Sequence, residues 1–222
     1  MAYQHRFVNG SACNFTLGKI VCVGRNYADH AKELNNPIPT EPMLFIKPAT
    51  AAVKLEEPFT IPLKHGSVHF ETEMSILIGE RLSNASEKEA LKAIAGVGVG
   101  LDLTLRDLQD GLKSKGHPWE KSKAFDGACP LSAFVSPDQV ADLQNVQIRL
   151  EVNGDVRQDG NSAMMLNPVL PLISYISEFF TLEPGDVIMT GTPAGVGPIE
   201  MGDELKVELE NILSVSSFVK AG

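Results

Sequence analysis

His69-Phe-Glu-Thr-Glu73 puts two carboxylates two residues apart on a stretch with strand character. Both should project from one face, with Cα atoms about 7 Å apart. They run directly into Met74-Ser-Ile-Leu-Ile78, an apolar segment that must be buried, and two like charges beside a core strand are costly unless a cation neutralises them. Asp102 closes the glycine-rich run Gly96-Val-Gly-Val-Gly-Leu101, whose missing side chains allow another backbone or a ligand to come close. Three such oxygen ligands would make one face of an octahedral site for a hard cation of the Mg²⁺ type, leaving positions open for water and substrate. The competing reading makes Glu71 and Glu73 a solvated strand face and Asp102 a helix cap, since E-x-E is a common pattern. Spacing alone leaves both open.

Other residues invite chemistry with an equally plain alternative. His30 and Glu33 are three apart in a short helical stretch and so share a face, either as a surface pair or as a carboxylate that orients a basic imidazole. Lys47, ahead of Pro48, and Lys123, in a polar stretch before Phe125, read equally as surface lysines. Arg106 and Gln109 lie three apart on the helix expected after Asp102, placed to reach a ligand at the carboxylates. Thr190-Gly-Thr-Pro-Ala-Gly-Val-Gly197 is either a tight loop or a backbone wrap for an anion, with the Thr192 amide as a donor. It lacks the Gly-Lys-Ser/Thr ending of a phosphate-binding loop, and no G-x-G-x-x-G leads from a strand into a helix. His5, His65, His69 and His117 show no metal-ligand spacing.

The elements that must carry these residues are short. Lys19 to Gly24 and Met43 to Ile46 read as strands, Phe70 to Ile78 as one strand, and Gly96 to Leu103 as a glycine-rich strand. Asn26 with Asp29, and Thr104 with Asp107, read as capping pairs that open helices, the second running to Lys115. Asn153-Gly154 between Val146–Val152 and Val156–Gln158 is the strongest hairpin signal, and Pro168 to Phe180 is an amphipathic helix. Glu183-Pro-Gly-Asp186 and Glu200-Met-Gly-Asp203 are each followed by a short strand pattern, a turn used twice that points to a coiled β-fold and not to a doubly wound sheet. The expected class is α+β, mainly β, with few short helices.

At 222 residues one continuous core is expected, so residues 1–222 are read as a single catalytic domain with a short extension over 1–18 and a core over 19–222. A net charge of −9 without a basic run argues against nucleic acid. The absence of a long apolar run argues against a membrane span, and the first twenty residues lack the order of a signal peptide. A cytoplasmic protein is expected. Cys13, Cys22 and Cys129 fit neither a disulfide framework nor a zinc site and are read as reduced, buried or idle thiols.

Taken together, Val23-Gly-Arg-Asn-Tyr-Ala-Asp-His30, Phe45-Ile-Lys-Pro48, His69-Phe-Glu-Thr-Glu73, Leu101-Asp-Leu-Thr-Leu-Arg-Asp107, Lys121-Ser-Lys-Ala-Phe-Asp126 and Thr190-Gly-Thr-Pro-Ala-Gly-Val-Gly197 resemble the fumarylacetoacetate hydrolase family, in its short branch of acylpyruvases, oxaloacetate decarboxylases and related isomerases. The resemblance spans Lys19 to Val219. It implies the mixed β-sandwich roll of that family's C-terminal domain, a homodimer, and Mg²⁺ or Mn²⁺ held by Glu71, Glu73 and Asp102. It also implies catalytic roles for His30, Glu33 and Lys123, with substrate contacts from Arg25, Lys47, Arg106, Gln109 and Thr192; Lys123 would stand near the metal and Lys47 at the substrate end.

The substrate it implies is a small 2-oxo acid. The leading expectation is hydrolytic C–C cleavage of a 3-acylpyruvate such as fumarylpyruvate or acetylpyruvate, with His30 and Glu33 activating water and the cation and Lys123 stabilising the pyruvate enolate. The alternatives are decarboxylation of oxaloacetate or its keto–enol isomerisation at the same carboxylates, and, in a different class, binding of a 2-oxo acid without turnover.

Overall fold

The computed structural model describes residues 3–11, 13–34 and 36–221. Along the first half run β1 (Lys19–Gly24), α1 (Ala28–Glu33), β2 (Met43–Pro48), β3 (Ala52–Lys54), β4 (Phe59–Ile61), β5 (Val68–Phe70), β6 (Thr72–Ile78), α2 (Glu87–Ala93) and β7 (Ile94–Leu101). The second half holds β8 (Thr104–Leu105), α3 (Arg106–Ser114), α4 (Glu120–Lys123), β9 (Cys129–Leu131), β10 (Gln147–Val152), β11 (Asp155–Asn161), α5 (Val169–Phe179), β12 (Val187–Met189), β13 (Gly197–Pro198), β14 (Glu204–Leu209) and β15 (Leu213–Ala221).

Among the described residues the strands form three sheets. A seven-stranded mixed sheet has the order β2-β1-β12-β6-β7-β9-β3, a five-stranded sheet the order β11-β10-β14-β15-β4, and β5 lies between β13 and β8 in a small third sheet. The architecture is mainly β with a few short helices, as expected. Alternation explains the packing: on β1, Val21 and Val23 face a core shared with Met74, Ile76, Val97, Ile148, Leu150 and Val207, while Ile20 and Cys22 face a second core with Leu77, Phe134 and Met189. Both faces of the large sheet are thus covered, and every residue of β6 is buried.

Several sequence expectations hold locally. Asn153 and Gly154, with φ of 54° and 86°, turn β10 into β11 as the paired positive angles of a type I′ hairpin require. The twice-used turn is built the same way both times: Asp186 accepts from the Glu183 amide at 2.8 Å and Asp203 from the Glu200 amide at 2.7 Å. Each turn bends through a glycine, Gly185 or Gly202, with φ near 100°. The two copies feed different sheets, β12 and β14.

Other expectations are corrected. The strand read over Phe70 to Ile78 breaks at Glu71, because β5 pairs with β13 and β8 while β6 pairs with β12 and β7. Glu71 therefore lies between two strands, at the crossing between two sheets, and not within one strand with Glu73. The helix read from Thr104 begins only at Arg106, since Thr104 and Leu105 pair with His69 and Val68. Neither expected capping pair forms. The Asn26 side chain binds the carbonyls of Thr190 and Asn167 instead, Asp29 pairs with Lys32, and Asp107 accepts from the Ser67 amide. The glycines of β7 admit side chains and not a ligand: a Cβ at Gly98 would lie 2.9 Å from the Ser132 hydroxyl and 3.0 Å from the Phe134 ring. Cys22 and Cys129 are free and buried, and burial pushes the Cys129 thiol up to about 12. Among the described residues no helix is long and apolar enough to cross a membrane.

Candidate metal and active site

The break between β5 and β6 is what assembles the carboxylates. The Asp102 amide donates to the Glu71 carbonyl at 2.8 Å, clamping the end of β7 to the crossing point, and Glu73 follows two residues on in β6 opposite Gly100. One oxygen from each of Glu71, Glu73 and Asp102 then lies within 4.8 Å of the others, and all three residues are buried.

Three cations serve this cluster unequally. Lys123, at the end of α4, donates to Glu71 at 2.8 Å, to Asp102 at 2.7 Å and to the Thr104 hydroxyl at 2.7 Å. Arg106, at the start of α3, reaches Glu71 at 2.5 Å and Gln109 at 2.8 Å. Lys47 touches Asp102 at 2.7 Å and donates to the carbonyls of Ala128 and Lys123. It is wholly buried beneath Asp102, where it holds that carboxylate and the backbone of Lys123. The antiparallel register of β2 on β1, with Lys47 opposite Ile20, turns it inward.

The electrostatics separate the two glutamates. Burial raises the Glu71 carboxyl, but the charges of Lys123 and Arg106 overcome this and hold it well below the usual carboxylate range. Burial and the neighbouring charges of Asp102 and Glu71 drive Glu73 far upward, because among the described residues no cation pairs with it and its one hydrogen bond comes from the Gly191 amide at 2.7 Å. Gly191 makes that bond at φ 96°, where an added Cβ would lie 2.6 Å from Asn26. Lys123 is itself desolvated, yet Asp102 and Glu71 raise it above the ordinary lysine value, so it stays an ammonium.

An all-oxygen donor set with one buried carboxylate lacking a countercharge fits a hard divalent cation, Mg²⁺ or Mn²⁺. At a cation concentration 100 times its dissociation constant, binding adds about 2.7 kcal/mol to folding stability. A melting point some 5–10 °C higher is therefore expected for a chain of this size. In Glu73→Ala the rise should disappear in thermal denaturation with and without Mg²⁺ or Mn²⁺; an undiminished rise would place the ion elsewhere.

His30 and Glu33 come together from α1, with His30 Nδ1 3.5 Å from the Glu33 carboxylate. His30 is only 4% exposed and so is no surface histidine. Burial lowers its pKa despite the opposing charges of Glu71 and Glu33, which leaves a neutral imidazole at pH 7. Glu33 also accepts from the Gly195 amide at 3.1 and 3.2 Å, tying α1 to the loop after β12. In that loop Thr192 is buried, its hydroxyl accepting from Gln158 at 2.7 Å. Arg25 adopts φ 60°, unusual for a non-glycine residue, and donates to Asn36 at 2.8 Å.

Sequence reasoning missed several supporting residues. Gln158 accepts from the Thr72 amide and donates to Thr192 and the Pro193 carbonyl, fixing the segment between the two glutamates against the loop. Asn26 holds Thr190, and Thr104 holds Lys123. Asn26 and Thr104 read in sequence only as helix caps, and Gln158, between Arg157 and Asp159, carries no local signal. A cavity of about 830 Å³ lined by Ile61, Leu105, Leu108, Ala124 and Phe125, among others, includes none of the site carboxylates.

The fumarylacetoacetate (FAA) hydrolase C-terminal family matches residues 19–220. The chain is 52% identical over 209 residues to the oxaloacetate tautomerase YcgM of Escherichia coli strain K12, covering 94% of this chain and 95% of that protein. It is 45% identical over 189 residues to a mitochondrial oxaloacetate decarboxylase of Dictyostelium discoideum, with 85% and 87% covered. A crystal structure of fumarylpyruvate hydrolase from Pseudomonas aeruginosa with Mn²⁺ and pyruvate superposes with a TM-score of 0.93 at 34% identity, covering 100% of this chain and 97% of that one. With a match over nearly its whole length, relatives of this identity and a shared fold, the chain belongs to the fumarylacetoacetate hydrolase family.

Proposed function

We propose that this chain is a divalent-metal-dependent enzyme that interconverts the keto and enol forms of oxaloacetate, and that it can release CO₂ from the same substrate. The observation that carries the reading is Lys123, a fixed ammonium shared between Glu71 and Asp102 beside a carboxylate that lacks a countercharge. Relatives that cover almost the full chain and bear the names oxaloacetate tautomerase and oxaloacetate decarboxylase support the choice of substrate. Charge balance agrees with it. Three carboxylates face Lys47, Lys123 and Arg106; a divalent cation adds two positive charges, and a dicarboxylate dianion removes two.

Glu71, Glu73 and Asp102 would hold the cation, which when bound supplies Lewis acidity at the 2-oxo group. Lys123 presents its ammonium to the charge that develops on the C2 oxygen as a proton leaves C3. Lys47 and Thr104 keep Asp102 and Lys123 from moving when that charge appears. Arg106 and Gln109 steady the substrate carboxylate next to C2. Glu33 orients the His30 ring, whose other nitrogen accepts the C3 proton or returns it. In decarboxylation the C3–C4 bond breaks instead, CO₂ leaves, and the electron pair passes into the enolate of pyruvate, which takes up a proton at C3; no base is needed to start it.

Hydrolysis of a 3-acylpyruvate, the leading expectation from sequence, becomes the second reading. The His30–Glu33 pair and the structural likeness to a fumarylpyruvate hydrolase favour it. Initial rates on oxaloacetate, acetylpyruvate and fumarylpyruvate, each with Mg²⁺ or Mn²⁺, decide between them: highest kcat/KM on oxaloacetate is expected, and highest kcat/KM on an acylpyruvate would reverse the order. Turnover of none of the three would favour binding without catalysis.

His30→Ala divides the reactions further. Loss of a general base costs about 10²–10⁴-fold, so acylpyruvate hydrolysis should fall by that much while decarboxylation stays within roughly tenfold. Equal losses in both assays would remove the distinction. Because burial depresses His30, the acid limb of any His30-dependent rate should lie below pH 6.5.

A further inference from the structure

Beyond the carboxylate cluster, α3 carries a third residue on the face that presents Arg106 and Gln109. Lys113 follows them at i+7 and i+4, two turns past Arg106, and helical side chains lean back toward the N-terminus. Its ammonium rests 5.2 Å from the centre of the Trp119 ring. Trp119 lies 6.3 Å from Phe45, and Lys123 in turn stands 5.3 Å from the Phe45 ring. Cation and aromatic ring thus alternate along one wall from the carboxylates outward to Lys113.

Among the described residues Lys113 forms no ion pair, and burial together with the charges of Arg106, Arg25 and Lys123 lowers its pKa against the opposing pull of Asp110. A cation held among cations, half-exposed and braced on an aromatic face, is preorganised for an anion.

We propose that Lys113 forms a subsite for the outer carboxylate of a dicarboxylic 2-oxo acid, the end of the substrate remote from the 2-oxo group. The inference rests on the oxaloacetate reading and extends it, since it says why a diacid and not pyruvate would be retained: only the diacid has a second charge to offer this wall.

Pyruvate is oxaloacetate without that outer carboxylate, and Trp119, the single tryptophan of the chain, reports on the wall by its fluorescence. With the Mg²⁺-loaded protein, affinities for oxaloacetate and pyruvate are read from Trp119 quenching, alongside KM and kcat for oxaloacetate, in wild type, Lys113→Met and Lys113→Arg. A charge-assisted contact of about 1.5–3 kcal/mol corresponds to a roughly 10- to 100-fold weakening. Lys113→Met should weaken oxaloacetate by that factor, mostly through KM, leave pyruvate within twofold, and be largely rescued in Lys113→Arg. Equal weakening of both ligands, or of neither, overturns the subsite. If oxaloacetate binds with this selectivity but wild type does not turn it over, the reaction assignment fails and the subsite stands.

Discussion

Replacing Asp102 by asparagine is expected to remove divalent-cation binding, lower oxaloacetate turnover by at least about 10³-fold and destabilise the fold, all in one step. The stability loss follows from what Asp102 touches: Lys47, which is completely buried, and Lys123, which is 3% exposed. Removing one partner of a buried ion pair costs about 3–5 kcal/mol, because the other charge is left in a medium that cannot solvate it. For a chain of this size that corresponds to a melting point lower by on the order of 10 °C. Adding Lys47→Met to the asparagine variant removes one orphaned charge and should restore part of the stability without restoring activity. Thermal denaturation, calorimetric Mn²⁺ titration and an oxaloacetate assay on both variants check this. A variant that melts like wild type would mean that the lysines do not depend on Asp102.

Lys123→Met is expected to separate binding from catalysis. Lys123 contacts Glu71, Asp102 and Thr104, so its loss takes away the ammonium offered to the developing enolate, and removal of one such stabilising donor costs about 10²–10³ in kcat. The same change makes the carboxylate cluster more negative, since Glu71 keeps Arg106 but Asp102 keeps only Lys47. Mn²⁺ affinity should therefore equal or exceed that of wild type. The metal-free variant should melt lower than wild type and recover when Mn²⁺ is added. Parallel loss of kcat and of Mn²⁺ affinity would show that Lys123 shapes the site without acting on the substrate.

These two residues also mark how far the sequence could be read. The carboxylates stood out because Glu71 and Glu73 lead straight into a buried strand, and that local conflict survives into the structure as an elevated Glu73. The Asn153-Gly154 hairpin and the helix over Val169–Phe179 were equally legible, because a turn type and a hydrophobic stripe are written in consecutive residues. What was hidden depends on pairing between distant strands. Nothing near Glu71 announces that the chain changes sheets there, since that follows from β13 and β8 claiming β5 while β12 and β7 claim β6. Lys47 reads locally as an ordinary surface lysine, and only the register of β2 on β1 turns it under Asp102.

Thr104 illustrates the same limit from the other side. A threonine three residues before an aspartate has the look of a helix cap, but its hydroxyl donates to the Asp102 carbonyl and accepts from Lys123. Gln158 falls on the hairpin that was foreseen, yet the bulge beside Leu150 and Glu151 and the contact with Pro193 bring it to the segment between the glutamates. Local chemistry gave the residue types. Tertiary register gave their partners.

The most direct test of oxaloacetate isomerisation at this site is the decay of enol-oxaloacetate followed in the ultraviolet by stopped flow, with metal-loaded wild type, with chelator added, and with Glu73→Ala. Acceleration by the loaded protein that is lost on chelation and absent in Glu73→Ala is the predicted result. A decay rate no faster than buffer containing the same cation, from protein that calorimetry shows to be metal-loaded, would contradict it.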